Sequence, residues 1–136
     1  MMARQEPRTS PSTPAVVKGR VDKAIEFFNE AEKMLEDNQN ATSAAGTLLV
    51  NAGIAASDVI CCVQLGRHAT GSDHQQAVSL LTKVNPDRGK DLSVLLKTKN
   101  KVSYAHERIS AAEYKQLQRA ASHLVEAAKL AAASAR

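Results

Sequence analysis

Four stretches of the chain carry apolar residues at steps of three and four, and a fifth is apolar on every side. The first stripe is Val17, Val21, Ala24, Phe28, Ala31 and Leu35, widened by Ile25 and Phe27. It predicts an amphipathic helix from about Pro14 to Asn38. The opposite face (Lys18, Arg20, Asp22, Lys23, Glu26, Glu30, Lys33, Glu36) mixes both charge signs and reads as solvated. Ala77, Leu80, Leu81 and Val84 mark a short helix from about Asp73 to Val84. Leu92, Leu95, Leu96 and Val102 mark another, beginning near Asp87. Tyr114, Leu117, Ala121, Leu124, Ala128 and Ala131 mark the last, whose alanine-rich end from Ala127 to Ala135 is a strong helix former.

The exception is Ala44 to Gly66, AAGTLLVNAGIAASDVICCVQLG, which holds no charged residue before Asp58. A helix apolar all round is buried among other helices or lies in a membrane. It is about long enough to span a bilayer by the usual ~20-residue criterion. Asn51, Ser57 and Asp58 interrupt the run, there is no Trp, and the flanks lack a basic cluster. The amphipathic helices also need an apolar partner. The segment therefore reads as the central helix of a bundle, with Gly46, Ala52, Gly53, Ala55 and Ala56 letting its neighbours come close.

Local signals set the boundaries. Thr13-Pro14 gives an N-cap followed by proline at the first helical position. Asn38-Gln39-Asn40 ends the first helix, and Asn40 can cap the second. Gly66 suits a left-handed helix end. Arg67 to Ser72 (RHATGS) reads as a polar loop, and Ser72 with Gln75 has the form of a capping box. Asn85-Pro86 breaks the chain. Ser110 with Glu113 is a second, better capping box. Met1 to Thr13, with Pro7 and Pro11 among Ser and Thr, reads as a disordered N-terminal tail. The fold expected is all-α: residues 14–136 form a single antiparallel up-and-down bundle of four long helices and one short one, with no strand pattern.

At 136 residues the chain can bury a real core without disulfide or metal. Cys61 and Cys62 are adjacent and point about 100° apart on a helix, so they read as buried free thiols of a reducing compartment. With no apolar run near the N-terminus, the reading is a cytoplasmic protein. The net charge is +4, and its placement matters more than its size. Between Lys83 and Arg108 stand seven basic residues and three acidic ones, so this segment accounts for all of it. Such a face suits an anionic partner such as RNA; the plain alternative is a solvated helix face. Asp58 on an apolar helix must be paired, exposed or at a site, and an ion pair with a Lys or Arg of a neighbouring helix is the structural expectation. His68 and His74 lack companions at ligand spacing and read as surface residues. No metal or other cofactor is expected.

From Ala15 to about Ala133 the chain resembles a HEPN domain (higher eukaryotes and prokaryotes nucleotide-binding), of a small bacterial, actinobacterial type. The resemblance is carried by AGIAASDVICCVQLGRHATGSDHQQAVSLL, from Ala52 to Leu81, and by LLKTKNKVSY, from Leu95 to Tyr104. It implies an antiparallel bundle, often a homodimer. Many members are metal-independent ribonucleases, among them toxins paired with a nucleotidyltransferase-type antitoxin; others are non-catalytic binding modules. Active members carry Arg, a polar residue such as Asn, and His after a spacer of four to six residues. Here Lys99-Asn100 stands at the Arg-polar position, Tyr104 at the first His position, and His106 at the limit of the spacer; Lys101 to His106 offers a four-residue spacer instead.

Cleavage of RNA by its own 2′-hydroxyl needs a base, an acid and a cation against the phosphorane. Histidine serves the first two roles, and a fixed cation the third. Lysine is a point charge where arginine is a rigid fork, and tyrosine is a poor base at neutral pH. The candidate catalytic residues are Lys99, Tyr104 and His106. Lys97, Lys101 and Arg108 would bind nucleic acid, with Asn100 and Asp58 in support. Lys99 and His106 share a face only if their helix is unbroken. The expected function is an RNA- or nucleotide-binding HEPN-like protein, either a degenerate ribonuclease of toxin-antitoxin type or a non-catalytic helical dimerisation module.

Overall fold

The computed structural model describes residues 8–37, 42–71 and 74–135. In chain order the elements are β1 (Thr9–Pro11), α1 (Pro14–Asp37), α2 (Ser43–Leu65), β2 (Arg67–Ala69), α3 (His74–Val84), α4 (Pro86–Ser103) and α5 (Ala111–Ser134). The all-α expectation holds at the level of five helices, and the five apolar patterns each became one. The expected cap at Asn40 and the capping box at Ser72 lie outside the described residues. Thr42 caps α2 by accepting from the Ala45 N–H.

α2 packs against all four other helices. Its small residues are the reason. Ala45, Gly46, Ala52, Gly53, Ala55 and Ala56 are all buried, so the larger side chains of the neighbours fill the space above them. A Cβ built on Gly53 would run into Leu95 Cδ1 of α4 and come within 3.3 Å of Leu124 Cδ1 of α5. Leu49 of α2 and Leu80, Leu81, Leu92, Leu95, Leu117 and Leu124 of the other helices are fully buried. α2 is long and apolar enough to cross a bilayer, with a mean hydropathy of 1.8, and 61% of that window is buried inside the protein. Gly66 ends it at φ 74, where its N–H bonds Cys62 O.

Two short strands correct the expectation of a strand-free chain. Thr9–Pro11, assigned to a disordered tail, pairs antiparallel with Arg67–Ala69, assigned to a loop; Ser10 faces His68. Thr70 N–H donates to Arg8 O at 2.9 Å and Ser12 N–H to Gly66 O at 2.8 Å, extending the pairing at both ends. Three-residue strands show no readable alternation, and Pro11 argues against a strand except at an edge. The burial of His68 between the half-exposed Arg67 and Ala69 is the period-two signature at its shortest.

Candidate functional site

The basic stretch of α4 divides between two faces. At about 100° per residue, Lys97 and Lys101 lie about 40° apart, while Lys99 is about 160° from both. Lys99 instead shares the side of Leu92 and Leu95, which are buried. Its Nζ reaches His74 Nε2, 3.1 Å away at the start of α3. An ammonium has only hydrogens to give, so Nε2 accepts and the imidazole is neutral in this arrangement. The approach of α4 to α3 that permits this is close: a Cβ on Gly89 would strike Thr82 Oγ1.

Lys101 is engaged elsewhere. Its Nζ donates to both carboxylate oxygens of Glu113, at 2.9 and 3.1 Å. Glu113 also accepts from the Ser110 N–H and closes the capping box of α5. These bonds hold the Glu113 carboxyl below the usual range, the Ser110 backbone N–H foremost, and the bond to Glu113 raises Lys101. The pair therefore ties the end of α4 to the start of α5, and both side chains are about one-third exposed.

α4 ends at Ser103, with Tyr104 as its C-cap. The condition for Lys99 and His106 to share a helix face is therefore not met. Tyr104 is 80% exposed. The N–H groups of Tyr104 and Ala105 both donate to Asn100 O, so the backbone of Asn100 terminates the helix. His106, Glu107 and Arg108 are exposed in the connection to α5, and Ile109 is buried and pins that connection to the core. Among the described residues no hydrogen bond or ion pair joins His106 to Lys99, Lys101 or Tyr104. Lys97 and Arg108 are exposed.

Asp58 meets the structural expectation of an ion pair, with Arg20 of α1 rather than with Lys99 or Lys101. Arg20 Nε lies 3.6 Å from Asp58 Oδ2, and the Asp58 side chain is 13% exposed. Burial pushes its carboxyl up to about 6, against the pull of Arg20 and of His68. Burial also raises both cysteine thiols, Cys61 to about 12, so neither is a thiolate nucleophile at neutral pH. Asp91 of α4 is bracketed by Arg88, 2.9 Å from Nε, and by His123 of α5, 3.3 Å from Nδ1. Among the described residues no group of three His, Cys, Asp or Glu side chains converges as a metal site would require.

Two residues that the geometry singles out stand apart from the candidate site residues of the sequence. His74 lies 25 positions from Lys99, on another helix, and only the packing of α3 on α4 brings them together. His68 was placed on a polar loop and is buried on β2. The only signal for either was the presence of histidine beside a helix boundary. A scan of protein-family models finds none that matches the chain, and a search of curated proteins finds no match either.

Proposed function

We propose that the protein is a HEPN-like antiparallel helical module that binds RNA through its phosphates and does not cleave it. The observation that carries this reading is the contact of Lys99 with His74. The Lys99 ammonium spends one hydrogen on His74 Nε2 and keeps two for a phosphate oxygen, and it occupies the lone pair that would otherwise take a 2′-hydroxyl proton. His106, the other candidate base, stands off the end of α4. One engaged imidazole does not provide both the base and the acid that cleavage requires. The exposed Lys97 of α4 adds long-range attraction for a polyanion, whereas Lys101 is neutralised by Glu113. A homodimer belongs to the same reading.

Purified protein incubated with labelled single-stranded RNA in EDTA tests it, beside Lys99→Ala, His74→Ala and His106→Ala, with the oligomeric state of each recorded. The expected result is RNA retained intact, bound by the wild type and by His106→Ala, and bound at least tenfold more weakly by Lys99→Ala. Metal-free cleavage that disappears in His106→Ala would replace this reading with a working nuclease.

A further inference from the structure

α1 and β2 line a small open notch of about 190 Å³, formed by Ala15, Val16, Gly19, Arg20, Lys23 and His68. The five α1 positions follow steps of one, three and four, so they form a continuous face of the helix. Three of the six lining residues carry nitrogen donors. His68 is 6% exposed. Its Nδ1 sits 3.3 Å from the Ala69 carbonyl of its own strand, and its Nε2 has no hydrogen-bond partner among the described residues. The pairing of β2 with β1 fixes this ring in place. Arg20 Nε lies 3.6 Å from Asp58 Oδ2, and among the described residues the guanidinium makes no side-chain hydrogen bond. Lys23 is exposed and has no ion-pair partner among them. Among the described residues Asp58 is the one carboxylate paired with this group, so one negative charge faces two positive ones before His68 is counted.

Gly19 adds a second, independent observation. A glycine inside a helix costs about 1 kcal/mol relative to alanine, yet a Cβ here would meet nothing within 4 Å, and no positive φ asks for glycine. The missing side chain leaves bare helix surface on the face that carries Arg20 and Lys23. The volume is below the roughly 300–1,000 Å³ of pockets for drug-sized ligands, and it has room for a tetrahedral oxyanion.

We propose that this notch is a phosphate-binding site, in which Arg20 and Lys23 of α1 and His68 of β2 hold one phosphate group over the bare backbone at Gly19. Arg20 and Lys23 supply charge, and His68, whose Nδ1 donates to the Ala69 carbonyl, donates through Nε2 as the imidazolium. The group is inorganic phosphate or a phosphate of a polynucleotide backbone. The site shares no residue with Lys99 and His74 and stands whether or not they bind RNA.

The test follows the ring resonances of His68 by NMR at pH 7 while inorganic phosphate is added, against sodium chloride at matched ionic strength. A short single-stranded RNA forms a second arm. Gly19→Leu adds bulk to this face where a Cβ meets nothing within 4 Å, and Lys23→Gln removes one donor. The expected result is a saturable shift of His68 with phosphate and not with chloride. Lys23→Gln should weaken it about tenfold, and Gly19→Leu should abolish it while the protein melts no lower than wild type. A shift by RNA at lower concentration than by free phosphate assigns the site to a polynucleotide backbone. A shift by phosphate alone assigns it to the free ion. Equal responses to phosphate and chloride, or a phosphate response that survives Gly19→Leu, overturn the proposal.

Discussion

Asp58 shows how one residue's surroundings set its chemistry. It sits on the most apolar helix, its side chain is 13% exposed, and the Nε of its arginine partner is 3.6 Å away. Desolvation outweighs that attraction, and the carboxyl rises from 3.8 to about 6. Between these values the folded chain holds a proton that the unfolded chain has lost. The stability tied to this proton is fully present below pH 3.8 and is lost as the pH rises through about 6. Asp58→Asn removes the titration and leaves Arg20, which is 40% exposed, free to reach water. Denaturant unfolding across pH 4 to 8 should find the variant more stable than wild type above pH 6, by on the order of 1–3 kcal/mol. The two should converge near pH 4. A difference independent of pH would contradict the account of Asp58.

Packing at the scale of the element turns on small residues. α2 contacts every other helix because its Gly and Ala positions take no space, and two glycines of the chain make opposite demands. At Gly53 a Cβ collides with Leu95 Cδ1; at Gly19 it meets nothing. Gly53→Val should therefore cost about 1–3 kcal/mol through overpacking, despite the better helix propensity of valine. Gly19→Ala should gain about 0.5–1 kcal/mol. Chemical denaturation of the two variants checks both signs, and equal effects would show that close approach does not distinguish the positions. The same contrast explains what the sequence makes legible. The central helix, the stripe of α1, the left-handed end at Gly66 and the capping box at Ser110 are local patterns, and local patterns can be read directly. The β1–β2 pair joins segments almost 60 residues apart through strands too short to alternate. The partner of Lys101 is on the next helix, and the partner of Lys99 is on the previous one. Lys97, Lys99 and Lys101 look like one cluster in the sequence because spacing of two conceals a near-reversal of direction around a helix. His106 lost its place beside Lys99 because α4 stops at Ser103, where the Asn100 carbonyl takes the N–H groups of Tyr104 and Ala105.

At the scale of the whole molecule, the net charge of +4 is spread over surfaces of different standing. Lys101 and Arg88 are held by Glu113 and Asp91. Lys97, Arg108 and Lys23 are exposed, and Lys99 is held against an imidazole rather than a carboxylate. The proposed RNA-binding function rests on that last difference: a cation paired with a neutral ring retains its charge for a phosphate, whereas one paired with a carboxylate does not. The most direct measurement is the salt dependence of RNA binding. Wild type and Lys99→Gln would be titrated against a labelled single-stranded RNA by fluorescence anisotropy at three or more salt concentrations. The expected result is a line of log Kd against log salt for each, with the Lys99→Gln slope shallower by about 0.7, the value of one phosphate contact on a single strand. Parallel lines of equal affinity would show that Lys99 contacts no phosphate, and would contradict the assignment of RNA binding to the junction of α3 and α4.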